Sequence, residues 1–217
     1  MKILEKKFDR YDTISISSYN KCISFLIVFG LLLNLIMCLV CKSVLPYINT
    51  VGFCIGYFIM SFVAMMILTR TENKFLMMLS YFLIVVPTGF LLSSVLNSYS
   101  YDSNIVIIAL LLTLFITICI SILSLLNPDV FLRMRKILMI GLISLIIVSF
   151  ISIIFNFSIP CISLISAALF SMLIGYDVVK AQSVPKTFKN AVFSAINIYL
   201  DLINLFLDVF NILNKDN

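Results

Sequence analysis

The sequence predicts an all-α membrane protein with seven spanning helices. Of its 217 residues, 62% are hydrophobic and only 12% charged, and the mean hydropathy of +1.17 lies far from the mix that a soluble domain needs. Uncharged runs of about 20 residues, the length at which a helix crosses the hydrocarbon of a bilayer, recur along the chain. These runs are apolar on every side and lack the period-two alternation of a membrane β-strand.

Taken in order, the runs are Cys22–Cys41, Ser43–Thr69, Phe75–Tyr101 and Ser103–Asn127. A longer run, Ile137–Tyr176, holds two helices, because Asn156–Pro160 combines short polar side chains with a proline that turns the chain. Pro87 falls in the middle of the third span and is a kink position. The sixth span is rich in small residues, Ser163, Ser166, Ala167, Ala168, Ser171 and Gly175, which favour a place inside a bundle. Gly52 and Gly56, in GFCIG, are read the same way, as a surface for close helix packing. Some twenty polar and charged residues precede the first run and no small-residue cleavage site follows it, so it is expected to remain in the mature protein rather than act as a signal peptide.

The seventh segment is different in kind. In NAVFSAINIYLDLINLFLDVFN, the residues Asn190, Ser194, Asn197, Asp201, Asn204, Asp208 and Asn211 are separated by steps of three and four, and all fall on one stripe of a helix. An ionised carboxylate at bilayer depth costs about 2.5–3.5 kcal/mol on insertion scales, so the stripe is expected to face the bundle interior as a cavity, a pathway or a buried network. Asparagines and aspartates bonding across helices would also serve as adhesive. Neutral side chains do that at lower cost, which favours a functional role for Asp201. Asp208, nearer the end of the span, divides evenly between the two readings.

Charge gives the orientation. Lys2, Lys6, Lys7, Arg10, Lys21, Arg70, Lys74, Arg133, Arg135, Lys136, Lys180, Lys186 and Lys189 fall on one side of the seven-span topology, leaving only Lys42 and Lys215 on the other. That imbalance places the amino terminus in the cytosol. Whether the tail LNKDN lies across the membrane depends on whether the seventh segment crosses or returns. Residues 1–21 read as a cytosolic arm, 22–214 as a single transmembrane domain and 215–217 as a tail. No basic run interleaved with aromatics suggests nucleic acid. The six cysteines are scattered through apolar spans; Cys38 and Cys41 form a CLVC pair, but the chain has no histidine and no second pair, so small core residues are the expectation. Abundant Ile, Ser and Asn with only six glycines points to an AT-rich genome, such as some viruses or bacteria have.

The stretch IGYDVVKAQ (174–182), followed by AINIYLDLINLFLDVFNIL (195–213), closely resembles the last two helices of the transmembrane Bax inhibitor motif family. That family includes Bax inhibitor, the Lifeguard proteins, viral Golgi anti-apoptotic proteins and bacterial relatives. The Tyr176-Asp177 pair, the later YLDxINLF and the interval from Asp177 to Asp201 carry the resemblance, with Arg70 and Thr88-Gly89 as weaker matches. The resemblance implies a seven-helix bundle with the last helix at its centre, a calcium leak across an intracellular membrane and inhibition of apoptosis. It implies no cofactor, with calcium as the transported ion held by Asp177 and Asp201, which also sense pH, and Arg70 as a latch on that pair. Arg70 is equally a cytosolic topology anchor.

Elementary chemistry agrees with the implied gate. Two neighbouring carboxylates do not easily both ionise and so share a proton. Its loss leaves two charges that repel each other and attract a divalent cation, and calcium prefers oxygen ligands. Asn197 and Asn204, one turn either side of Asp201, are further lining oxygens, as is Asp208. The second span, Val51–Leu68, carries no acidic residue where many family members carry a glutamate. With a turn centred near Pro185–Lys186, Asp177 and Asp201 would differ in depth by roughly 8–10 Å at 1.5 Å per residue; a turn on Lys189 would level them.

Two rivals stand beside this reading. Intramembrane aspartyl proteases also open with a Tyr-Asp motif, but they need glycines around the second aspartate, and no glycine follows Gly175 here; the chain is not expected to be an enzyme. A non-conducting protein that suppresses cell death by binding regulatory membrane proteins is the other. The expected location is the endoplasmic reticulum or Golgi of a eukaryotic or infected cell, or the plasma membrane of a bacterium.

Overall fold

The computed structural model describes residues 13–40, 50–98, 103–155 and 161–215. Most of the amino-terminal arm, Lys42, Cys41 of the CLVC pair, the Asn156–Pro160 break and the last two residues of the tail lie outside the described residues, as do the side chains of Gly52's neighbourhood through Ile55. Among the described residues eight helices follow in order: α1 (Ile16–Val40), α2 (Thr50–Arg70), α3 (Lys74–Ser98), α4 (Ser103–Leu126), α5 (Pro128–Arg133), α6 (Arg135–Phe155), α7 (Ile162–Ser183) and α8 (Phe188–Lys215). Six of them, α1, α3, α4, α6, α7 and α8, are long and apolar enough to cross a membrane, and the part of α2 from Gly56 to Arg70 is a shorter apolar helix. The protein is therefore a multi-pass, all-helical membrane protein whose outer side chains contact lipid.

Several boundaries differ from the sequence expectation, for local reasons. α1 begins at Ile16 rather than Cys22 because Ser15 caps it: the Ser18 N–H donates to Ser15 Oγ at 3.1 Å. α3 is capped in the same manner, with the Phe75 N–H donating to Asn73 Oδ1 at 2.9 Å. α5 was not foreseen; Pro128 occupies its first turn, where a missing N–H costs nothing, and the helix is too short to show periodicity. α7 runs seven residues past Tyr176 to Ser183, so Asp177 lies within the helix and not at its end. Pro87 lies inside α3, with helix on both sides.

Contacts divide the chain into two compact units, Met1–Ser100 with Val184–Tyr199, and Tyr101–Ser183 with Leu200–Asn217. In the first unit α3 packs against both α1 and α2. Its interior is polar as well as apolar. The Tyr81 hydroxyl donates to the Leu26 carbonyl at 2.6 Å, the Asn34 amide donates to the Tyr199 hydroxyl, and Thr88 donates to the Ile84 carbonyl at 2.7 Å while meeting Tyr57 Oη at 3.3 Å. The segment before α1 joins the turn before α8: Thr13 pairs with Thr187, and the Ile14 N–H donates to the Lys186 carbonyl at 2.8 Å. Lys189 forms an ion pair with Glu72 at 2.9 Å.

In the second unit α7 packs against α4, α5 and α6. Phe131 of α5 lies on Gly175, where an added Cβ would come within 2.8 Å of its Cδ1. Gly141 meets Leu169 in the same way, at 2.9 Å. Gly56, by contrast, has nothing within 4 Å of an added Cβ among the described residues, so the close packing expected of it is not found at that glycine. α7 buries Ser163, Ser166, Ala167 and Gly175 as its composition suggests, but Ala168 is exposed. Half of the spanning window of α7 is buried.

Candidate acid pair in the membrane

α8 carries the site. Its start is fixed by Thr187, whose Oγ1 accepts from the Asn190 N–H at 3.2 Å, and by Pro185, whose carbonyl accepts from the Asn190 side chain at 2.8 Å. No residue from Phe188 to Asn214 is exposed, and 67% of its spanning window is buried, the largest share among the six candidate spans. On the polar stripe Ser194 and Asp201 are buried, while Asn190, Asn197, Asn204, Asp208 and Asn211 are half-buried; the central carboxylate is thus withdrawn from lipid, as its cost there demands.

Asp177 and Asp201, each 9% exposed, both belong to the second unit, and each carboxyl feels the other electrostatically. Asp201 Oδ2 is buried with no hydrogen-bond partner, which leaves one acceptor open to a further ligand. The turn is where unequal depths were expected, with α7 ending at Ser183 and α8 starting at Phe188. Within that link the Thr187 N–H donates to the Pro185 carbonyl at 2.9 Å, so its backbone is turned rather than extended.

Lys180, one turn beyond Asp177 on α7, brings its Nζ to 3.9 Å from Asp177 Oδ1 and also lies 5.4 Å from the Tyr176 ring centroid. Sequence reading had counted this lysine only as a topology signal; its three-residue spacing from Asp177 was the available clue. Arg70 ends α2 in the first unit, exposed, beside Val63, Met66, Ile67 and Thr71 in a shallow apolar groove of about 510 Å³.

The remaining stripe residues divide between the units. Asn197, half-buried, belongs to the first. Asn204 and Asp208, also half-buried, belong to the second, where Ser166 Oγ donates to Asp208 Oδ2 at 2.5 Å. In the first unit Ser194 Oγ meets the Tyr19 hydroxyl at 3.3 Å. Asn34, 1% exposed, was missed altogether, since a lone asparagine in an apolar run carries no spacing signal.

Among the described residues, no group of three or more Cys, Asp and Glu side chains is placed to cage a metal ion. The chemistry available is that of two buried carboxyls, an open oxygen on Asp201 and a nearby ammonium on Lys180.

No curated protein matches the chain. A family model described as "Inhibitor of apoptosis-promoting Bax1" matches residues 18–217, which takes in all eight helices except the first two residues of α1. With nearly the whole chain covered, including both acid-bearing helices, this protein belongs to the Bax inhibitor family.

Proposed function

We propose that this protein is a pH-sensitive calcium leak channel of an intracellular membrane, gated by Asp177 and Asp201, which lowers stored calcium and thereby inhibits apoptosis. The observation that supports this reading is the two buried carboxyls of Asp177 and Asp201 with an unpartnered buried oxygen on Asp201, the latter on a membrane helix with no exposed residue from Phe188 to Asn214. In the closed state the two carboxyls hold one proton between them. Deprotonation leaves two like charges that repel, and their repulsion is relieved by separation or by a divalent cation bridging them.

Lys180 supplies a counter-charge to the ionised pair from one side, and Arg70 acts as a latch. Asn197, Asn204 and Asp208 line the pathway with oxygens. The chain crosses the membrane seven times with α2 as the seventh span, α8 central and the amino terminus cytosolic, in the endoplasmic reticulum or Golgi of a eukaryotic or infected cell. The acid pair serves ion passage rather than peptide hydrolysis: Asp201 sits in IYLDLIN, without the glycines that would let a substrate backbone approach.

The test is calcium flux in liposomes holding the pure protein, from about pH 6 to 8, across which a carboxyl pair that shares a proton is expected to change its response. Wild type is expected to leak in a pH-dependent manner, and Asp177→Asn and Asp201→Asn to alter both the leak and its pH response. A folded wild-type protein that leaks no more than empty liposomes would overturn the channel. In that case, cell protection that survives Asp201→Asn would identify the protein as a non-conducting partner of cell-death regulators.

A further inference from the structure

Asp208 is the second carboxylate that the stripe carries into the membrane, and its surroundings differ from those of the pair. It lies seven residues beyond Asp201, which on a straight helix is about 10 Å along the axis and within about 20° of the same face. Its partner is Ser166, itself 5% exposed, whose hydroxyl donates to Oδ2 at 2.5 Å. Among the described residues no lysine or arginine comes within ion-pair distance of it. Asp208 therefore differs from Asp177, which has Lys180 nearby.

The position of this acid in the chain is also informative. Ser166 lies in the second turn of α7, which runs on to the 184–187 turn, and Asp208 lies in the last third of α8, which runs away from it. Both side chains are thus at the end of their helices remote from that turn, and both belong to one unit. Asn204 and Asn211 lie one turn before and after Asp208 on the same stripe, each half-buried.

A half-buried carboxylate in a membrane helix, with a hydroxyl but no basic partner, is an oxygen site of negative charge that a cation can neutralise. We propose that Asp208 and Ser166 form a second, weak divalent-cation station, separate from the Asp177–Asp201 pair and reached before it by an ion entering from the end remote from the 184–187 turn. This rests on the leak reading for its role in transit. Two stations about 10 Å apart let an ion held at the outer one drive an ion from the inner one, which lets conduction proceed without either binding tightly. One carboxylate with hydroxyl and amide oxygens is a low-charge ligand set, in the class that binds calcium at about 0.1–1 mM.

Binding is tested apart from flux, by equilibrium dialysis of purified protein against radiolabelled calcium, in an Asp201→Asn background that disables the pair. That variant is expected to bind calcium at about 1 mM, Asp201→Asn with Asp208→Asn to lose the binding, Ser166→Ala to weaken it several-fold, and Ser166→Thr, which keeps the hydroxyl, to retain it. Equal binding with and without Asp208, or none in the Asp201→Asn background, overturns the station. Should Asp208→Asn fail to fold, the Ser166→Ala and Ser166→Thr pair decides in the same way. In flux, Asp208→Asn alone is expected to raise the calcium needed for half-maximal leak by about tenfold and to leave the pH midpoint in place. If calcium binding depends on Asp208 but wild-type liposomes do not leak, the station stands and the leak reading falls.

Discussion

Helices α4 and α8 are both long enough to cross a bilayer, yet only 11% of the spanning window of α4 is buried against 67% of that of α8. On α4 the exposed side chains include Leu111, Phe115, Ile118 and Ile122, and the buried ones include Ala109, Thr113 and Ser124. On α8 Asp201 is buried, and the asparagines and Asp208 are half-buried, none of them exposed. The soluble rule that apolar residues mark the inside is thus reversed at α4, where the most apolar face is the outermost. Between helices in lipid there is no hydrophobic driving force, so packing and polar contacts decide which face turns inward.

The largest expected effect comes from placing a charge on the wrong helix. Leu111→Lys, at a position 62% exposed, should make insertion of α4 less favourable by about 2.5–3.5 kcal/mol. An engineered glycosylation site reporting translocation reads the inserted fraction, and insertion equal to wild type would show that Leu111 does not face lipid. Next is Gly175→Ala, which drives a Cβ against Phe131 and should cost about 1–3 kcal/mol. Thermal unfolding in detergent measures this, and Phe131→Ala in the same chain should recover part of the loss.

A smaller effect is expected at the Asn34–Tyr199 bond. Tyr199→Phe removes the acceptor and should cost about 1 kcal/mol, the scale of interhelical hydrogen bonds in membranes. Asn34→Leu combined with Tyr199→Phe should cost less than the sum of the single changes, since no buried donor is then left unmatched. The smallest effect belongs to the outer face of α4: Ile118→Ala, at 58% exposure, should change stability by no more than about 0.5 kcal/mol. A loss comparable to that of Gly175→Ala would mean that Ile118 is covered by protein.

The same contrast explains what the sequence made legible. The stripe on α8 was readable because its spacing is helical and its residue types are costly in lipid, two signals that need no knowledge of neighbours. The all-helical class and the spanning runs followed from length and apolarity. The start of α1 was missed because a serine cap extends a helix beyond its apolar run. Lys180 was missed because it lies outside the apolar run, where a lysine reads as an anchor. Which glycine is closely packed, Gly175 and not Gly56, depends on whether a ring such as that of Phe131 lies opposite, and such a pairing across 44 positions of chain leaves no local trace.

The junction between the segment before α1 and the turn before α8 is written in main-chain atoms. The Ile14 amide and the Lys186 carbonyl make the same bond whatever side chains stand at those positions. The tie is therefore nearly blind to substitution, and most point changes at residue 14 should leave it intact. Proline is the exception, because it alone lacks the hydrogen that the bond requires.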